Sequence, residues 1–139
     1  MVSDRRTFSK DNEKLVSLLA QSYNDLTPAI VTECFAEEIV YESQYVMGNI
    51  VGKLEVADYL TAKMDTISQH IDTARVYAEI GYWRRTPCIV MAQGSPEQPS
   101  SVILVKCEDD LITRIDICAV PSPDRVKRTG VYPSQKDNQ

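Results

Sequence analysis

Glu42 and Asp116 are the side chains of this sequence best suited to chemistry. Each lies in a stretch that alternates as a strand does, Glu42 within Tyr41-Glu42-Ser43-Gln44 and Asp116 between Ile115 and Ile117. A carboxylate facing an apolar pocket has its charged form desolvated, which lifts its pKa toward neutrality and fits it for general acid–base work. Side chains alternate along a strand, so Asp116 shares a face with Arg114 and Cys118 and opposes Ile115 and Ile117. If the isoleucine face packs outward in a dimer, Asp116 points into a pocket. A slip of one residue reverses the assignment. The plainer reading puts Glu42 on an exposed strand face and pairs Asp116 with Arg114 or Arg75.

Other chemistries find less material. None of the four cysteines, Cys34, Cys88, Cys107 and Cys118, sits in a C-x-x-C pair, so zinc-ligand spacing is missing. Three of them lie in apolar runs and read as buried, reduced thiols. The single histidine, His70, ends a helical stretch beside Gln69 and reads as a surface residue, which leaves a cysteine nucleophile without its base. No glycine-rich phosphate loop occurs, and neither a cofactor nor a metal is expected. The net charge of −5 and pI near 4.9 disfavour nucleic acid as a partner, since phosphate rewards a basic surface. The one basic stretch, Arg125, Lys127 and Arg128, reads as solvated tail.

The elements that must position these groups follow from periodicity. Leu15, Leu18, Leu19, Ser22 and Leu26 mark a helix over Asp11–Asn24, and Pro28 after Thr27 starts a shorter one reaching Phe35. Ile39–Val46 alternates as a strand, Gly48-Asn49 turns, and Ile50–Val51 forms a short return strand. Val56, Leu60, Met64 and Ile67 then define a helix over Lys53–Gln69. Strand patterns follow at Thr73–Arg84, Cys88–Gln93, Val102–Glu108 and Leu111–Val120, with a loop at Gly94–Ser101 and a tight turn at Asp109-Asp110. Helices come early and strands late, an α+β pattern with a mostly antiparallel, curved sheet wrapped on the helices.

A chain of 139 residues, 43% hydrophobic and 25% charged, suits one domain. We expect a flexible N-terminus over 1–10, the domain over 11–120 and a polar tail over 121–139. The longest apolar runs, Cys88–Ala92 and Val102–Val105, fall far short of the roughly 20 residues a membrane helix needs. Met1–Lys10 lacks the apolar stretch of a secretory signal, so the expected location is cytoplasmic.

The order of elements, from about Leu15 to Val120, resembles the nuclear transport factor 2-like superfamily, the cystatin-like α+β cone, and within it the SnoaL-like and steroid-isomerase-like branches. The local motif is Ile39–Met64, in which Gly52, Val56 and Tyr59 match a family pattern of glycine before a helix; Leu111–Val120 resembles the family's last strand. The resemblance implies a cone with a pocket between the concave sheet face and the helices, and frequent dimerisation through the outer face. It places a base near Glu42, an acid near Asp116 and, at Tyr23, a hydroxyl that donates to a developing oxyanion. The second acid of the isomerase oxyanion hole has no clear counterpart here.

Two functions follow. One is a domain that binds a small apolar ligand or associates as a dimer, with Tyr41, Gln44, Tyr59, Trp83, Met91 and Arg114 as ligand-binding residues. The other is a cofactor-independent isomerase, cyclase or dehydratase working next to a carbonyl, with Glu42 as base, Asp116 as acid and Tyr23 as donor. The expected homodimer face carries Val102, Leu104, Ile115 and Ile117.

Overall fold

The computed structural model describes residues 3–135, with side chains described from residue 12 onward. Helix α1 covers Ser3–Asp25, and α2 is a single turn at Ala29–Thr32. Strand β1 spans Phe35–Ser43, β2 Asn49–Val51, and α3 Lys53–Gln69, followed by a turn of helix, α4, at Ile71–Ala74. Strands β3 (Val76–Trp83), β4 (Thr86–Gln93), β5 (Pro99–Glu108) and β6 (Leu111–Cys118) then run in succession. A 3-10 turn at Pro123–Arg125 leads into β7, Lys127–Arg128.

All strands join one curved sheet in the order β2-β1-β6-β5-β4-β3-β7. Strands β1–β2 and β3 through β6 pair antiparallel with their chain neighbours through short connections, β7 pairs antiparallel with β3, and β1 meets β6 in parallel. The β3–β4 and β5–β6 hairpins each turn on two residues with positive φ, Arg84-Arg85 and Asp109-Asp110. That backbone matches the right-handed twist of the flanking strands.

Three boundaries differ from the periodicity. Helix α1 begins at Ser3, so 3–10 are helical rather than an unstructured lead-in, while Met1 and Val2 lie outside the described residues. The second helix stops early because the chain joins the sheet at Cys34, whose carbonyl accepts from the Ile112 N–H at 2.7 Å. The chain beyond residue 120 is not a free tail. Val126 lies on the outer sheet face, 127–131 run along the β3 edge, and 133–135 reach Asn24 and Asp25 of α1, while 136–139 lie outside the described residues.

The core lies on the concave face. Leu15, Val16, Leu19 and Ala20 of α1 and Val56, Leu60, Met64 and Ile67 of α3 pack on Ile39, Ile89, Ile103, Ile112, Ile115 and Ile117. Each such side chain, fully buried, contributes about 1.5–3 kcal/mol. Both helix stripes thus meet the sheet side that the isoleucines of β6 occupy. Gly52 sets the angle of α3: its φ of +108° suits glycine, its N–H donates to Ile39 O at 2.8 Å, and its carbonyl accepts the first helical bond from Val56.

The convex face has a smaller apolar cluster of Cys88, Val90, Val102, Cys118 and Val126, with Trp83 and Leu104 beside it. Val126 belongs to the returning C-terminal strap. Where it crosses β3 the sheet offers Gly81; a Cβ there would sit 2.6 Å from Val126 Cγ1. Beyond that point Lys127 and Arg128 pair with Tyr82 and Gly81, which covers the β3 edge. Glu79, only 3% exposed, accepts from Arg128 Nε at 2.7 Å, from the Gly130 N–H at 2.7 Å and from the Tyr132 hydroxyl at 3.4 Å. Arg128 is therefore an anchor of the strap, not a solvated tail residue. Of the four side chains expected on an outer dimer face, Ile115 and Ile117 face inward and Val102 is fully buried; Leu104 is half-buried on the outer side.

Candidate ligand cavity

Helices α1 and α3 cover the concave face incompletely. Between them and strands β1, β4, β5 and β6 lies a cavity of about 700 Å³. That volume lies within the ordinary range for sites that take small organic molecules. Its wall on β1 is Tyr41 and Ser43, continued by Tyr45 and Val46 in the loop after the strand. Helix α3 supplies Tyr59, Ala62, Lys63, Thr66 and Ile67, and α1 contributes Tyr23. The floor and far wall come from Val76, Met91, Gln93, Ser100, Ser101, Ile103 and Ile117. A smaller space of about 200 Å³ under the β1–β2 loop shares Tyr41, Ser43, Val46 and Tyr59 and adds Met47 and Ile50.

Tyrosines dominate the polar chemistry. The rings of Tyr41 and Tyr59 meet at 5.0 Å between centroids, tilted by 51°. Tyr41 is 3% exposed, and among the described residues its hydroxyl, which is out of water, has no partner in good hydrogen-bond geometry, the Tyr23 and Tyr59 hydroxyls interacting with it only loosely. Burial pushes its pKa far above the ordinary phenol value, and Tyr23 and Tyr59 add in the same direction. Tyr23 shifts upward too, by burial first and then by Tyr59, while Tyr41 pulls slightly the other way. Both therefore stay neutral hydroxyls, able to donate to an acceptor, and neither serves as a base near neutral pH. Lys63 Nζ lies 5.9 Å from the centre of the Tyr59 ring, a cation–π geometry. Among the described residues it is the only charged side chain on the lining.

Loop contacts shape the mouth. The Tyr45 hydroxyl donates to Ser100 O at 2.9 Å, bridging from the β1–β2 loop to β5. The Gln44 amide holds the chain after β6: its oxygen accepts from the N–H groups of Ala119 (2.8 Å) and Val120 (2.9 Å), and its nitrogen donates to Val120 O. Gln44 thus braces the rim from outside instead of lining the cavity.

The structure brings Tyr23, Tyr41, Tyr59 and Met91 to one cavity and leaves Glu42, Asp116, Gln44, Trp83 and Arg114 outside it. Glu42 and Asp116 are register partners on β1 and β6 and do stand side by side, but on the convex face. Arg114 lies between them, its Nε donating to Asp116 at 3.0 and 3.1 Å and its terminal nitrogen bonded to Glu42. Arg114 is held above its ordinary pKa, mainly by the hydrogen bond to Asp116. The inversion has a plain cause: Ile115 and Ile117 bury more apolar area against the helices than Asp116 and Arg114 could, and the alternation then turns both carboxylates outward. Trp83 stands on the same outer side, with the Arg84 guanidinium 4.5 Å from its ring centre.

Sequence reasoning passed over Ser43, Lys63, Thr66 and Ser101 as site residues. The signal for two of them was present: Tyr59, Lys63 and Thr66 recur at helical spacing and share one flank of α3. Among the described residues no cluster of side chains could hold a metal ion, and no helix is long and apolar enough to cross a membrane.

A curved sheet closed by helices into a cone, with a cavity at its concave side, defines the class: a cone-shaped α+β domain. The chain has the nuclear transport factor 2-like, or cystatin-like, fold. No family model matches the sequence, and no curated protein matches it. Solved structures do. A nuclear transport factor 2-like protein of unknown function from Mesorhizobium loti superposes with a TM-score of 0.62 at 16% identity, over 88% of this chain and 93% of the other. A cystatin-like-fold protein from Methylobium petroleophilum gives 0.59 at 14% identity, over 88% and 87%. A protein with a ketosteroid isomerase-like fold from Catenulispora acidiphila, in complex with trimethylamine, gives 0.52 at 14% identity, over 75% and 83%. These likenesses establish the fold, and the fold alone selects no reaction.

Proposed function

We propose that this domain is a non-catalytic binding module for a small, mainly apolar molecule. The observation that carries the reading is the composition of the cavity: apolar and hydroxyl-bearing side chains with Gln93 and Lys63 around about 700 Å³, and no carboxylate on the lining among the described residues. Proton abstraction next to a carbonyl needs a base within hydrogen-bond reach of the substrate. The two acids that suit that role are committed to Arg114 on the other side of the sheet. Neutral tyrosine hydroxyls orient a carbonyl or hydroxyl oxygen without removing a proton.

The test is thermal-shift screening with hydrophobic ketones and polycyclic compounds, followed by calorimetry. A true ligand at a hundred times its Kd stabilises the protein by about 2.7 kcal/mol. Met91→Trp, which fills the cavity, is expected to abolish that stabilisation, whereas Glu42→Gln leaves it within error. Loss of binding in Glu42→Gln, or turnover of a bound ketone that Glu42→Gln stops, would refute the reading and restore the acid–base alternative.

A further inference from the structure

Among the described residues Lys63 is the one charged group on the cavity wall, and nothing in the cavity answers its charge. It is half-buried, rests against the Tyr59 ring and makes no ion pair among the described residues. An ammonium in such a place keeps a partly desolvated charge that a ligand of opposite sign would relieve. The rest of the lining has the same bias. The buried Tyr41 hydroxyl has no partner in good geometry, and the Ser43 hydroxyl accepts from the Tyr45 N–H and retains its proton to give. The acceptors on the lining are neutral: the Gln93 oxygen, whose amide nitrogen is bound to Ala74 O, and the hydroxyls of Tyr45, Thr66 and Ser100, whose protons go to backbone carbonyls. Lys63, Tyr41 and Ser43 thus have protons to give, and among the described residues the lining carries one positive charge and no negative one.

Building on the binding reading, we infer that the ligand is a monoanion: an apolar body carrying one carboxylate-like group that pairs with Lys63, with an acceptor oxygen or the body itself against Tyr41. The position of Lys63 on α3, beside Tyr59, sets the polar end of the ligand on the helix side. Ile103, Ile117, Val76 and Met91 receive the apolar part on the sheet side. A cationic ligand would meet an unneutralised ammonium and no carboxylate.

Three probes with one body and different heads separate these statements: 2-naphthylacetate, 2-naphthylacetamide and 2-(2-naphthyl)ethylammonium, each titrated calorimetrically into the full chain. The acid is expected to bind about tenfold or more tighter than the amide, as suits a charge-assisted contact, and the ammonium weakest. Lys63→Met should bring the acid down to the affinity of the amide while the amide itself is unchanged; Lys63→Arg should keep the preference. Lys63 is a helix-surface residue, so unchanged melting of Lys63→Met serves as the folding control. Equal affinity for acid and amide, a preference that survives in Lys63→Met, or tighter binding of the ammonium would each overturn the anion assignment while leaving a binding cavity. Failure of all three probes to bind at millimolar concentration would overturn the binding reading along with it.

Discussion

Both faces of the sheet carry an apolar centre, and the chain covers them differently. On the concave face two long helices lie over the isoleucines of β4, β5 and β6, and their separation leaves the cavity. On the convex face the cluster around Val90 and Val102 is covered by Val126 of the strap, which fits because Gly81 has no side chain. Rigid helices span and leave room; a short extended segment follows the surface and closes it. Polar groups divide the same way. The buried carboxylate of the convex face, Glu79, has three donors, whereas the buried hydroxyl of the concave face, Tyr41, has no partner in good geometry. A satisfied buried group holds structure, and an unsatisfied one is available to a ligand.

Three substitutions test that contrast. The largest effect is expected at Glu79. Glu79→Ala removes the acceptor of Arg128, Gly130 and Tyr132 together, and should cost about 3 kcal/mol in urea unfolding, with the strap released. A loss within about 0.5 kcal/mol, the usual range for a surface substitution, would mean that the strap contributes nothing to the folded state. Gly81→Ala comes next, at about 2 kcal/mol, because the new methyl overlaps Val126. The double variant Gly81→Ala with Val126→Ala should be clearly less destabilised than the sum of the two singles, and strict additivity would place Val126 elsewhere. The smallest effect has the opposite sign. Tyr41→Phe removes a buried hydroxyl without a well-formed hydrogen bond and should stabilise the ligand-free protein by about 1 kcal/mol, while weakening any ligand that needs that donor. Destabilisation would show that the hydroxyl has a partner in solution.

Much of the fold was legible from periodicity. The apolar stripe of α3 is strong because it buries one face only, while β4, buried on both faces, is legible as a continuous apolar run. The side of the sheet was not legible. Along β6 alternation puts Ile115 and Ile117 on one face and Arg114, Asp116 and Cys118 on the other, and it does not say which meets the helices. Assigning the isoleucines to a partner chain sent the carboxylates to the wrong side; the needs of α1 and α3 for apolar sheet surface would have decided it. The strap was invisible for another reason. Its composition is polar, and what fixes it is long-range: Asn24 Nδ2 to Pro133 O at 2.9 Å, and Arg128 to Glu79. Tyr41 and Tyr59 were recognised as bulky candidates for a cavity wall, but the donor bias that makes Lys63 matter emerges only when the whole lining is seen together.

The parallel pairing of β1 with β6 carries a consequence for biosynthesis. Strand β1 is made well before its parallel neighbour β6, Leu111–Cys118, with β2, α3 and β3 to β5 synthesised between them. Until then Tyr41 has only β2 beside it, and the apolar stripe of α3 lacks the isoleucines of β6. Contacts of such long sequence separation form slowly. The cavity therefore lacks its central wall until β6 has been made, whatever has folded before it.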